Sequence, residues 1–223
     1  MKIHSFIKRL NATELGLGVT NDTYIAIPNE VNLSDMLVNR QALEIFDRKT
    51  GTVFTPENSN IMYVQTGQNN QERISGLGRY YEMVDAKVGD EILIERIEDR
   101  LGIKYAIDFY HRNAVVFQKN RDYVEILTPE KLQPYAKDDD FSLEVVIDGK
   151  LETLLVKFIE KSKKKKTSPR ETDFYDLQIQ GESILGNYSY QEYIEVIDDG
   201  KRLGRMKTYY YSLIEMMEEK DDE

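Results

Sequence analysis

The chain contains no cysteine, which excludes a disulfide framework and any thiolate-held zinc or iron–sulfur site. Histidine is nearly missing as well. His4 and His111 are the two imidazoles, and neither stands in an H-E-x-x-H pattern or beside a nucleophile, so each is expected to be structural or at the surface. No G-x-x-x-x-G-K-S/T loop occurs. Gly16-Leu17-Gly18 and Gly76-Leu77-Gly78 each lack the third glycine and the following helix of a dinucleotide loop, and read as hinges. No apolar run approaches the roughly 20 residues of a membrane helix. These absences lead to an expectation of a soluble, cytoplasmic chain with no cofactor and no metal. Its 223 residues, 40% of them hydrophobic, can bury a core as one medium domain or two small ones.

Net positive charge is also missing, since the formal charge is −10. Non-specific nucleic-acid affinity comes mainly from Lys and Arg neutralising phosphates, so this balance opposes simple DNA binding. The excess acid is unevenly placed. Residues 1–136 carry 16 basic and 19 acidic side chains, a net of −3, whereas 137–223 carry 14 and 21, a net of −7. The local field decides more than the total.

What is present is a series of short alternating segments. Ser5–Leu10, Thr23–Ile27, Ala42–Asp47, Thr52–Phe54, Ile61–Gln65, the run from Glu91 to Ile97 and Ile103–His111 read as strands, and their spacing suggests a barrel or sandwich. Thr128-Pro129-Glu130 predicts a capping hydroxyl before a short helix at Pro129–Tyr135. The run Lys137-Asp138-Asp139-Asp140 reads as a linker, so the expected boundary lies between a domain of residues 1–136 and a small α+β accessory domain of residues 137–223. In the latter, Leu143–Ile147 and Leu151–Ile159 flank Asp148-Gly149, a type I′ hairpin dipeptide. The run Lys163–Lys166 reads as a solvated loop or a phosphate clamp. Lys207–Met217 reads as a C-terminal helix with an acidic end.

Two polar arms stand out between the early strands. The first is I-K-R-L-N-A-T-E-L-G-L-G-V-T-N-D, Ile7–Asp22, and the second is Q-T-G-Q-N-N-Q-E-R-I-S-G-L-G-R, Gln65–Arg79. Arg, Asn and Gln match guanine and adenine edges in the major groove by paired donors and acceptors. Candidate DNA contacts are therefore Lys8, Arg9, Asn11 and Asn21 in the first arm and Gln68, Asn70, Gln71, Glu72, Arg73, Ser75 and Arg79 in the second. Arg73 and Arg79 are suited to guanine, Asn70 and Gln71 to adenine, and Lys8 and Arg9 to phosphates or bases.

The strings I-K-R-L-N-A-T-E, T-Y-I-A-I-P and N-Q-E-R-I-S-G-L-G-R resemble the N-terminal effector and DNA-binding domain of the EcoRII family of restriction endonucleases, whose pseudobarrel is shared with plant B-three transcription factors. The resemblance spans about the first 130 residues. It implies a mainly β fold, a seven-stranded open pseudobarrel whose two arms grip double-stranded DNA. It places Lys8 and Arg9 at the start of the first arm and Gln71, Glu72 and Arg73 in the base-contacting stretch. The family commonly has a basic residue where this chain has Glu72, so base preference does not transfer.

Three functional readings follow. The first is sequence-specific duplex DNA binding in a restriction or related defence system, as a recognition subunit beside a nuclease or motor subunit or as the DNA-binding part of a restriction endonuclease. The second is an acidic protein-interaction or DNA-mimic protein. The third is a compact Mg-dependent endonuclease using Asp140 with Asp148-Gly149-Lys150. A tight hairpin explains the latter triplet without a metal, so the isolated chain is expected not to be catalytic.

Overall fold

The structure is a computed structural model that describes residues 1–18, 21–31, 44–55, 63–66, 71–161, 172–197 and 201–215. It divides into two compact units, Met1–His111 with Thr208–Glu223, and Arg112–Lys207. The chain is mainly β in both.

The first unit holds β1 (Lys2–Arg9), β2 (Tyr24–Ala26), β3 (Ile45–Asp47), β4 (Val53–Phe54), β5 (Tyr63–Thr66), β6 (Glu72–Ser75), helix α1 (Gly78–Met83), β7 (Glu91–Asp99) and β8 (Gly102–Tyr110). The second holds β9 (Ala114–Lys119), β10 (Val124–Ile126), α2 (Pro129–Leu132), β11 (Ala136–Lys137), β12 (Asp140–Ile147), β13 (Lys150–Lys161), β14 (Asp173–Ile179), β15 (Glu182–Ser183), β16 (Tyr193–Ile197) and β17 (Arg202–Arg205). The last strand, β18 (Tyr209–Glu215), returns to the first unit.

In the first unit a six-stranded sheet runs β18-β1-β7-β8-β3-β4, and a three-stranded sheet runs β2-β6-β5. Alternation along β1 turns His4, Phe6 and Lys8 inward while Ile3, Ser5 and Ile7 take the other face, the period of two expected of a half-buried strand. Phe6, Leu10, Ile25, Ile74, Leu77, Ile92, Ile94 and Ile107 form one core with Tyr80, Tyr81 and Phe109. The two sheets and α1 share it, and this core positions both arms.

The second unit closes on itself. The order β10-β9-β16-β17-β12-β13-β14 returns to β10 through the pairs Val124 with Tyr175 and Glu125 with Phe174, giving a seven-stranded barrel. Its interior is filled by pairs two residues apart, among them Leu143 with Val145, Leu154 with Val156 and Ile194 with Val196.

Several expectations need correction. The seven-strand ring closes within Arg112–Lys207, not within residues 1–136, because β9 and β10 pair with β16 and β14 from much later in the sequence. The expected boundary at 136/137 is therefore a hairpin inside the barrel unit, where Ala136 pairs with Phe141 and Lys137 with Asp140 around a left-handed Asp138. Among the described residues, the unit expected to be α+β is strand apart from short helical turns. Lys207–Met217 is not helical where described. Tyr209–Glu215 is a strand with seven residues in register on β1, and this pairing overrides the helix expected from the apolar Leu213, Ile214, Met216 and Met217. Thr128 does precede α2, yet its hydroxyl accepts from Val116 N at 2.8 Å and donates to the Ala114 carbonyl at 3.3 Å, fastening β9 rather than capping the helix.

Candidate nucleic-acid interface

The first arm leaves β1 at Leu10 and turns at once. Asn11 and Glu14 bond reciprocally: Asn11 Oδ1 accepts from Glu14 N at 3.0 Å, and Asn11 N donates to Glu14 Oε2 at 3.1 Å. That is the capping-box arrangement at three-residue spacing. Glu14 is 1% exposed, and its other oxygen, Oε1, accepts from Ala26 N in β2 at 3.0 Å. Lys8 Nζ lies 3.2 Å from Glu14 Oε2. One buried carboxylate thus ties the arm to β1 and to β2. Burial raises the Glu14 pKa, opposed by the Lys8 ammonium and by the Ala26 and Asn11 N–H groups.

The second arm joins β5 to α1 through β6, and β6 pairs with β2 as Tyr24 with Ser75, Ile25 with Ile74 and Ala26 with Arg73. The arms therefore meet along β2–β6. Arg73 reaches diagonally across the pair, its Cζ 4.1 Å from the centre of the Tyr24 ring. Arg73 is half-buried as a residue, and its Nε is buried with no hydrogen-bond partner among the described residues. Burial raises the Tyr24 pKa, and the Arg73 charge pulls against it. The Tyr24 carbonyl accepts from the Tyr81 hydroxyl at 3.2 Å, so α1 braces the strand from inside.

Both glycine hinges close on the start of β2. Gly16 has φ +71, and a Cβ there would sit 3.0 Å from the Asn21 carbonyl oxygen. A Cβ on Gly78 would sit 3.1 Å from Thr23 Oγ1. Glycine is required at Gly16 both by conformation and by close approach.

The sequence-derived contacts divide into groups. Asn21 and Arg79 are exposed, while Gln71, Glu72, Arg73 and Asn11 are half-buried. Gln68 and Asn70 lie outside the described residues. Lys8 and Arg9 are 5% and 6% exposed. Lys8 is paired with Glu14; Arg9 Nε donates to the Gly89 carbonyl at 2.8 Å, and its Nη1 lies 3.6 Å from Glu91 Oε1. Burial and pairing commit these two cations to the interior of the first unit and correct their expected placement against phosphates. Ser75 is 4% exposed and pairs in the middle of the small sheet, so its hydroxyl is not presented at the surface. The first arm's Asn11 spends its carbonyl oxygen on the Glu14 turn. Sequence reading missed Glu14, Tyr24 and Tyr81, although the N-x-x-E spacing of Asn11 and Glu14 carried the signal for the first.

The nuclease triplet is taken apart by the same geometry. Asp148 and Gly149 have φ +48 and +77 and form the two-residue loop between β12 and β13, with Ile147 paired to Lys150. Asp140 sits at the opposite end of β12, eight residues and about 26 Å away along a strand. Its Oδ1 accepts from Phe158 N at 2.8 Å. The two acids do not converge. Among the described residues, no group of three or more His, Asp or Glu is placed to hold a metal ion, and no helix is long and apolar enough to cross a membrane.

No protein-family model and no curated protein matches the chain. Among solved structures, it is similar to one described as an Arabidopsis FUS3–DNA complex, with a TM-score of 0.34 and 14% identity over 47% of this chain and 94% of that chain. A likeness of that size leaves fold and function to be decided by the chain's own residues.

Proposed function

We propose that the chain reads duplex DNA along the edge where its two arms meet. The observation that carries this reading is the convergence of both arms on β2–β6, where Arg73 lies on Tyr24 with exposed Asn21 and Arg79 belonging to the same two arms. Stacking on a tyrosine uses the face of a guanidinium and pre-orders a long side chain before binding, with the terminal Nη groups rather than the buried Nε left for a base. Arg73 and Arg79 would address guanine edges, and Gln71, with Asn70, adenine edges. A restriction or defence role, beside a nuclease or motor subunit, is the finer form of this reading and rests on the EcoRII-like strings alone.

A second reading is favoured by the burial of Lys8 and Arg9 together with the net charge of −10: an acidic protein surface that engages a basic partner. Titration of duplex binding against salt separates the two. DNA reading requires measurable selective binding that weakens as salt rises. No duplex binding at low salt, over a randomised pool of sites, refutes it and favours the acidic-partner reading.

A further inference from the structure

An inward position at one end of the barrel carries a charge. β9 turns Val115 and Phe117 into the core, and Lys119 follows Phe117 by two, paired with the core residue Val124. Its side chain therefore enters the barrel end, where Lys119 is 4% exposed. The ammonium donates to the Asn120 and Arg121 carbonyls of the turn between β9 and β10. Its third N–H has no partner among the described residues, and none of their carboxylates pairs with it. Glu192, whose carbonyl accepts from Lys119 N, spends Oε1 on Arg205 Nε at 2.6 Å and Oε2 on Ser189 N at 2.7 Å. A buried ammonium without a counter-charge is costly, and two backbone carbonyls offset only part of that cost.

Lys119 lines a hollow of about 440 Å³ with Arg121, Asp122, Ser183, Gly186 and Tyr188, all within the second unit. Arg121 is exposed, and its guanidinium has no hydrogen bond or ion pair among the described residues. Burial raises the Tyr188 pKa above its ordinary value of 10, against the pull of Arg205, so its hydroxyl remains a donor. Ser183 Oγ is spent on Asp176 Oδ1 at 2.6 Å. Gly186 leaves the wall open, since a Cβ there would meet nothing within 4 Å. Asp122, the one carboxylate in this lining, is exposed and outnumbered by the two cations.

We infer that this hollow binds a phosphate group, with Lys119 as the buried counter-charge and Arg121 reaching it from the rim. Phosphate supplies the missing negative charge, and its several oxygens can be shared among ammonium, guanidinium and hydroxyl donors. The hollow far exceeds the room a bare ion needs, a water molecule taking about 30 Å³. The ligand is therefore a phosphate ester, carried by a free nucleotide or by a nucleic-acid backbone. The hollow shares no residue with the two arms and does not rest on their reading of bases.

The test is calorimetry on the full chain at low salt, with adenosine monophosphate and a duplex of randomised sequence as probes. At least one of them should bind saturably, at about 1 mM or tighter. Lys119→Met keeps a long buried side chain and should weaken that binding about tenfold or more. Gly186→Phe fills the hollow from a position with room for a side chain, and should abolish binding there with the circular dichroism spectrum unchanged. It therefore decides the matter even if Lys119→Met fails to fold. Asp122→Asn should strengthen binding by removing the opposing charge. Loss confined to the nucleotide in Gly186→Phe identifies a free phosphate ester, and loss on the duplex identifies a backbone phosphate. The proposal is overturned if neither probe loses affinity in Gly186→Phe. Weaker binding in Asp122→Asn also overturns it, since the hollow would then seat a cation.

Discussion

Removal of the Glu14 carboxylate should loosen the first arm more than removal of any exposed polar residue in it. In Glu14→Ala three groups lose their acceptor at once: the N–H of Asn11, the N–H of Ala26 and the Lys8 ammonium. A buried donor left unsatisfied costs about 1–3 kcal/mol, and breaking a buried ion pair from one side costs about 3–5 kcal/mol. Relaxation and water entry overlap these effects, so about 3–5 kcal/mol in total is expected. Glu14→Gln keeps an acceptor for Ala26 N and should lose less. The pH dependence has a defined sign. Because burial raises the folded pKa of Glu14 above its ordinary value of 4.5, the folded state holds the proton more tightly. Glu14's contribution is then fully present below the unfolded pKa and is lost as pH rises through the folded pKa. Glu14→Gln should remove that decline. Urea unfolding followed by tyrosine fluorescence, with hydrogen exchange of peptides covering residues 10–27, measures both. A loss under 1 kcal/mol in Glu14→Ala, with the arm amides as protected as in the native chain, would refute the argument that this carboxylate anchors the arm.

Arg73→Ala should cost about 1–3 kcal/mol of specific duplex binding and relax selectivity at one base pair, measured by competition against single-base variants; equal weakening on random DNA would make Arg73 a phosphate contact. Gly149→Ala should destabilise by about 1–2 kcal/mol through its left-handed φ of +77 alone, since a Cβ there meets nothing within 4 Å, and an unchanged melting temperature would contradict the strain argument. A chain ending after Lys137 should lose cooperative unfolding, because β9 loses β16, β10 loses β14 and β1 loses β18; a sharp two-state melt of that fragment would count against the division into units. DNA incubated with the purified chain and Mg²⁺ should stay intact, and cutting abolished by Asp148→Ala with the fold retained would restore the nuclease reading.

Much of the secondary structure was legible from the residues alone. The alternation in β1, β7, β12 and β13 is a local property of each segment, set by the period of two that a half-buried strand imposes. The Asp148-Gly149 loop was legible for a similar reason, since a two-residue turn needs left-handed backbone at both positions. The sequence also determined which polar side chains cluster in the two arms. It did not determine which of them face solvent. Lys8 and Asn21 read alike in a string, yet one is buried on a carboxylate and the other is exposed, because burial depends on what the opposite strands bring to that spot. Ring closure through β10 and β14, the return of β18 to β1 and the meeting of the arms at β2–β6 are pairings between distant segments. Each strand carries a pattern that says which face is apolar and nothing that names its neighbour. Only packing the whole chain around its two cores selects those partners.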